Sequence, residues 1–249
     1  MSQIKTIALV FISIIFINCE SDNDKFPINK RYWDTQDYEK VTRTLRFGTK
    51  SDEKLPTFDD PETRLIVEKY TDSQNYSIVL NDKELGIKHK NRVGEEFFLR
   101  WQDMTYVYTA RDRKDNFIYE KEMLAVHQFG LGLQLKYFKL GNDEIINNSD
   151  SPNDAKHTIN SNINSLISNY KSYLDYINDE QSFSEAGIKI FSNGIVKYYT
   201  MLIKQYPKGN YNSTKSKMET LKKKAKSEVI KNSLDKIIKL IDEKQVKVE

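Results

Sequence analysis

Residues 157–177 read HTINSNINSLISNYKSYLDYI, and their apolar side chains fall at Ile159, Ile163, Leu166, Ile167, Tyr170, Leu174 and Ile177. Steps of three and four residues put this set on one face of an α-helix, whereas a half-buried strand would alternate every second residue. The same spacing recurs along the chain. It links Tyr38, Val41 and Leu45, then Leu65, Ile66, Lys69 and Tyr70. From Glu95 it links Phe97, Phe98, Trp101, Met104, Val107 and Tyr108, and over 118–140 it links Leu124, His127, Leu131, Leu135 and Phe138. Ile188, Phe191, Ile195, Tyr198, Leu202 and Ile203 form another stripe, and Leu221, Ala225, Val229, Leu234, Ile237 and Ile241 a last one. Only 76–80 (YSIVL) is β-rich, and a single strand would have no partner. It reads as a helix start or a buried extended connection. The expected fold is an all-α multi-helix bundle with at most one short strand.

Capping chemistry sets the expected boundaries. Asp34 suits the start of the first helix, and Asp59 or Asp60 the start of a second with Pro61 in its first turn. Residues 48–61 read as a loop and 83–88 as a short helical turn. Gly141-Asn142 reads as a helix stop. The polar run NNSDSPND at 147–154 is the best boundary between two helical halves, giving packed subdomains at 31–146 and 155–249. Asn178-Asp179 reads as a hairpin, and the helix after it should stop before Pro207. Ser182 with Glu185, and Ser216 with Glu219, match the S-x-x-E capping box. The last stretch is expected to break once near Lys226.

Of the 249 residues 12% are aromatic, enough to build a core despite a modest 38% hydrophobic content. The formal charge of +3 makes no case for nucleic acid. Charge is unevenly spread: 19–60 leans acidic, and 204–249 is lysine-rich, with a run at Lys222, Lys223, Lys224 and Lys226. At helical spacing such a run reads as a solvated face. One cysteine, Cys19, excludes an intramolecular disulfide, so stability must come from packing.

The chain begins Met1-Ser2-Gln3-Ile4-Lys5 and then runs apolar from Thr6 to Ile17. One cation followed by an apolar run of about a dozen residues has the form of a secretory signal. A permanent span needs roughly 20 apolar residues. The run ends in Phe16-Ile17-Asn18-Cys19, followed by Glu20-Ser21-Asp22-Asn23-Asp24. This arrangement resembles the lipoprotein precursors of bacteria of the Bacteroidetes type. The resemblance implies that 1–18 is cleaved and that the Cys19 thiol is lipidated, anchoring the chain to the outer membrane. It implies that 19–30 is a flexible tether and that Glu20, Ser21, Asp22, Asn23 and Asp24 direct the protein to the cell surface. It covers about the first tenth of the chain and says nothing of the helical part.

No clustered chemistry stands out in the rest. Residues 111–122 are similar to an EF-hand loop, with Ile118 and Glu122 at its hydrophobic and bidentate positions. Arg111 and Arg113 would then occupy the first two ligand positions, where guanidiniums repel calcium. His89, His127 and His157 are scattered, His127 on an apolar face where a satisfied core histidine is expected. The pattern therefore asks for no metal and no cofactor. Gly130-Leu131-Gly132 lacks the strand and third glycine of a phosphate loop and reads as a close helix contact. The expectation is a non-enzymatic helical domain that binds a protein or envelope partner. A rival reading is a hydrolase with carboxylates assembled across helices, its first suspects Glu95, Glu96, Asp112 and Glu122. A third is an immunity-type lipoprotein guarding against a neighbour's toxin.

Overall fold

A computed structural model describes residues 25–48, 54–109 and 118–245. Its elements are helical, with no strand among the described residues: α1 (Thr35–Arg43) leading into a π-turn (Thr44–Gly48), α2 (Arg64–Tyr70), α3 (Gln74–Leu80), α4 (Ile87–Thr109), α5 (Glu120–Asn148), α6 (Pro152–Tyr170) with a 3₁₀ stretch (Lys171–Ser182), α7 (Glu185–Gln205), α8 (Asn212–Lys224) and α9 (Glu228–Gln245). The chain is an all-α multi-helix bundle. No helix among the described residues is long and apolar enough to cross a membrane.

The start of α1 follows its expected chemistry. Asp34 accepts the Asp37 N–H at 3.0 Å while Asp37 accepts the Asp34 N–H at 3.0 Å, a reciprocal cap. Other boundaries move, each for a physical reason. The β-rich 76–80 lies within α3, because Tyr76 and Leu80 are buried on one face one turn apart while Ile78 is turned to solvent. Tertiary burial overrides the β-propensity of Ile78-Val79. Asp60 binds the Glu62 N–H and the Thr63 hydroxyl, both at 3.0 Å, so it shapes the turn around Pro61 and α2 starts only at Arg64. Of the turn expected at 83–88 only 87–88 are helical, as the start of α4, which begins eight residues before Glu95, while 83–85 bend ahead of it. Gly141 does not end α5. No neighbour crowds it, and the buried Asn142 beside it accepts a 2.9 Å bond from Asn162 while the helix runs on to Asn148. The helix ends in the polar 147–154 run, where Ser151 caps α6 and Pro152 takes its first position. α6 gives way to the 3₁₀ stretch at Lys171, with a kink at Asp179, yet Leu174 and Ile177 stay buried.

Both proposed S-x-x-E boxes fail in the structure. α7 is capped by Ser184 instead of Ser182, and α8 starts at Asn212, four residues ahead of Ser216. The Ser184 cap is completed from elsewhere: its N–H donates to Glu120 at 2.9 Å, and its hydroxyl donates to the same carboxylate. Glu120 on α5 thus takes the part that a glutamate within α7 would play in a capping box.

The buried side chains form one cluster that runs from Trp33 to Ile241, through both halves of the chain. α5 is its centre and packs against α4, α6 and α7, while α9 packs on α7 and α8 and α1 on α4. Trp33, Tyr38, Tyr70, Tyr76, Phe97 and Phe129 form a continuous set of ring contacts at 5.1 to 6.4 Å. Such pairs contribute about 0.5–1.5 kcal/mol each beyond their burial. Buried tyrosines spend their hydroxyls on carbonyls: Tyr108 on Pro56 at 2.9 Å, Tyr199 on Tyr170 at 2.7 Å and Tyr38 on Tyr70 at 3.1 Å. Burial pushes all three phenols well up, which keeps them neutral donors. Gly130 lets α4 and α5 meet, because a Cβ there would stand 1.8 Å from the Trp101 indole. This glycine and Gly132, which faces the Tyr76 hydroxyl, are packing residues, as their spacing implies.

Candidate interaction site

Cys19, Glu20, Ser21, Asp22, Asn23 and Asp24 lie outside the described residues, as do the 111–117 loop and Asp112. The remaining hydrolase suspects go separate ways. Glu95 and Glu96 are exposed on α4, where Glu96 accepts the Thr35 hydroxyl at 3.0 Å. Glu122 is buried on α5 and accepts the Phe58 N–H at 2.7 Å, and burial raises its carboxyl. Glu120 and Glu180 are buried as well, and both are used as remote caps. Glu180 accepts the N–H groups of Lys226, at 2.8 Å, and Ser227, which holds open the break between α8 and α9. Lys226 is where that break was expected.

His127 is a core histidine. Its ring packs edge-on against Trp101, Tyr173 and Tyr176 at 6.0, 5.1 and 5.5 Å. Its Nδ1 faces the Tyr176 hydroxyl at 3.2 Å and its Nε2 the Ser172 hydroxyl at 3.4 Å. Burial pushes the imidazole down to about 4, so it is neutral near pH 7. The Ser172 hydroxyl donates to the Asn169 carbonyl at 2.8 Å, so the serine proton is not directed at the histidine. Among the described residues no three His, Cys, Asp or Glu side chains come together as metal ligands.

A different set of residues does converge. The apolar stripe of α1 (Tyr38, Val41, Leu45) turns Glu39, Arg43 and Arg46 outward at steps of four and three. Across from them, α4 presents Arg100, Asp103 and Tyr106. Two ion pairs bridge the elements: Arg100 to Glu39 at 2.9 Å, and Arg46 to Asp103 at 3.2 Å. Arg43 stands between these pairs, exposed and without an ion-pair partner among the described residues. Glu39, Arg43, Arg46, Arg100 and Asp103 line a notch of about 300 Å³ that also includes Thr42 and Phe47. That is the lower end of ligand-site volumes, room for one or two side chains. Thr42 is buried beneath, its hydroxyl 2.8 Å from that of Tyr70, which ties the notch to the aromatic core.

The rim is aromatic. The π-turn carries Phe47 into solvent, where it is 74% exposed, and Tyr106 is 54% exposed. The Arg46 guanidinium lies over both rings, 4.9 Å from Phe47 and 5.4 Å from Tyr106. Leu99, two turns before Tyr106 on the same face of α4, is 53% exposed. π-turns of this kind often mark functional positions. Aromatic and arginine side chains are also the types enriched at protein interfaces. None of these residues was singled out from the sequence. The one available signal was the pair Arg43 and Arg46 one turn apart, running into an aromatic that continues no apolar stripe.

A scan against protein-family models, a search of curated proteins and a search of solved structures each return no match.

Proposed function

We propose that this chain is a lipid-anchored, non-enzymatic helical module of the outer membrane that binds a protein partner through the α1–α4 face. The observation that carries this reading is the exposed Phe47–Arg46–Tyr106 stack beside the guanidinium-lined notch. An exposed phenylalanine is costly in water and unrewarded by the fold, but it supplies contact area to a partner. The anchor rests on the signal-like start, Cys19 and the acidic tract after it. The geometry suits such an anchor. Lys30 is held to Asp37 in the first turn of α1, whereas Arg43 and Arg46 follow at its far end. At 1.5 Å per residue the helix puts about 13 Å between the two ends. A tether arriving at residue 25 therefore meets the domain at the opposite end of α1 from the notch.

A photo-crosslinking residue placed at Phe47 in intact cells tests the reading, with the exposed Val229 on α9 as control. A discrete adduct from Phe47 that Val229 does not give is the expected result. Equal labelling from both, or none, removes the interface. Protease shaving of cells carrying a C-terminal tag, with Cys19→Ser alongside, tests the anchor. The wild-type tag should be lost from the surface and the variant released from membranes. A variant that stays with the membrane removes the lipid from the account.

A further inference from the structure

We infer that the notch recognises a carboxylate side chain flanked by an aromatic or large apolar residue, on an acidic segment of the partner protein. This rests on the reading of the α1–α4 face as a binding surface. Among the described residues three guanidiniums and two carboxylates line the notch, an excess of one positive charge that sits on Arg43. Arg46 and Arg100 are not exhausted by their pairs. Each pair is made through a single terminal nitrogen, Nη1 of Arg46 and Nη2 of Arg100, and a guanidinium has five N–H donors in a rigid fork. An incoming carboxylate would find Arg43 without an ion-pair partner among the described residues and unspent donors on Arg46 and Arg100, a fit for bidentate pairing.

The two existing pairs have a second effect. Glu39 and Asp103 hold Arg100 and Arg46 in place, so a ligand need not immobilise flexible side chains itself. Asp103 and Glu39 also repel a carboxylate that approaches from the wrong side, which gives register. Beside the charges, the Phe47 and Tyr106 rings offer apolar area within reach of the neighbouring side chain of an extended peptide. The lysine-rich α8–α9 face lacks this combination. Lys222 is paired with Asp235 at 2.5 Å and Lys231 with Glu228 at 2.7 Å, and the aromatic neighbour is missing from its groove, lined by Glu219, Lys223 and Ile238.

The test uses the full chain in non-ionic detergent and a fluorescein-labelled peptide, Gly-Asp-Glu-Phe-Asp-Gly. Two comparison peptides carry Asn and Gln in place of the acids, or Ala in place of Phe. Anisotropy at about 50 mM salt reads affinity, and the arginine Nε–Hε resonances read the site. The acidic aromatic peptide should bind, with the amide peptide and the Arg43→Gln variant each about tenfold weaker. The alanine peptide should fall by a smaller factor, and about 0.5 M salt should weaken binding by screening. Lys223→Gln should leave binding unchanged. Equal binding of the amide peptide, or indifference to Arg43→Gln, overturns the proposal. So does a loss caused by Lys223→Gln, or concentration-dependent self-association that Phe47→Ala abolishes, which would make a second copy the occupant. If no peptide binds but the Phe47 crosslinker still gives its adduct, the carboxylate chemistry fails and the binding surface stands. If both fail, the surface fails with it.

Discussion

Glu180 and Arg43 both stand at a helix junction, one an acidic and the other a basic side chain. Glu180 is 7% exposed, and both its oxygens are spent on the Lys226 and Ser227 N–H groups where α8 turns into α9. Arg43 is exposed beside two completed ion pairs and has no ion-pair partner of its own among the described residues. The same contrast holds region by region. The buried carboxylates Glu120, Glu122 and Glu180 each answer backbone groups from a distant segment. Among the described residues the α1–α4 notch instead leaves the Arg43 charge without an ion-pair partner and puts aromatic rings beside it. A charged group whose hydrogen bonds are all internal holds the fold together. One whose bonds are unmade, on a rigid rim, is available to something else.

The sharpest way to break this comparison is Glu180→Ala. The variant leaves the Lys226 and Ser227 N–H groups without their charged acceptor at the half-buried junction. It should lose about 3 kcal/mol of stability. Glu180→Gln keeps one acceptor oxygen and should lose about 1 kcal/mol. Urea unfolding followed by circular dichroism measures both. If Glu180→Ala unfolds with the wild-type midpoint, the α8–α9 break is held by apolar packing and the carboxylate is incidental.

A smaller effect comes from two buried titratable groups of opposite sign. His127 is held down to about 4 from an ordinary 6.5 by burial. Its contribution is fully present above pH 6.5 and is lost as pH falls through about 4, because the unfolded chain takes up the proton first. The loss over that window is about 2.5 kcal/mol. Burial raises Glu122, so its contribution is fully present below 4.5 and lost as pH rises through its folded value. Above pH 4.5 the two act in opposite directions. His127→Phe should therefore flatten the acid-side decline in stability, whereas Glu122→Gln should steepen it. Urea titrations at pH 6.5 and 4 in the three proteins check the signs, and a steeper decline in His127→Phe would refute the assignment to this ring.

These residues also show which parts of the molecule the sequence exposes. Apolar periodicity located the helices, because each stripe is a local property of a few turns and the core they build is one cluster. Ends were less legible. The start of α7 depends on Glu120, 64 positions from Ser184, so the local S-x-x-E match at Ser182 pointed two residues early. Gly141 carries a stop signal that nothing around it enforces, and α5 runs through it. The break near Lys226 was visible as a lapse in periodicity, while its cause, Glu180, was not. The notch was hidden for the same reason as the caps. Arg46 meets Asp103 across 57 positions, and Arg100 meets Glu39 across a similar span. No linear motif records such a pairing.

The smallest stability effect is expected at the notch itself. Phe47 is 74% exposed, and Arg43 is exposed without an ion-pair partner among the described residues, so the fold gains little from either. Phe47→Ala and Arg43→Gln should each unfold within about 0.5 kcal/mol of wild type, as surface changes away from caps and cores do. Arg46→Gln should cost slightly more, because it also frees Asp103 and removes the stacking on Phe47 and Tyr106. The same urea titration used for Glu180→Ala reads all three on one scale. A loss above 1 kcal/mol in Phe47→Ala would mean that the ring holds the π-turn against α4. The α1–α4 face would then belong with the buried glutamates as a structural device. A wild-type midpoint, in a variant that no longer gives the crosslink, separates the two regions: there the phenylalanine contributes to a contact outside the fold.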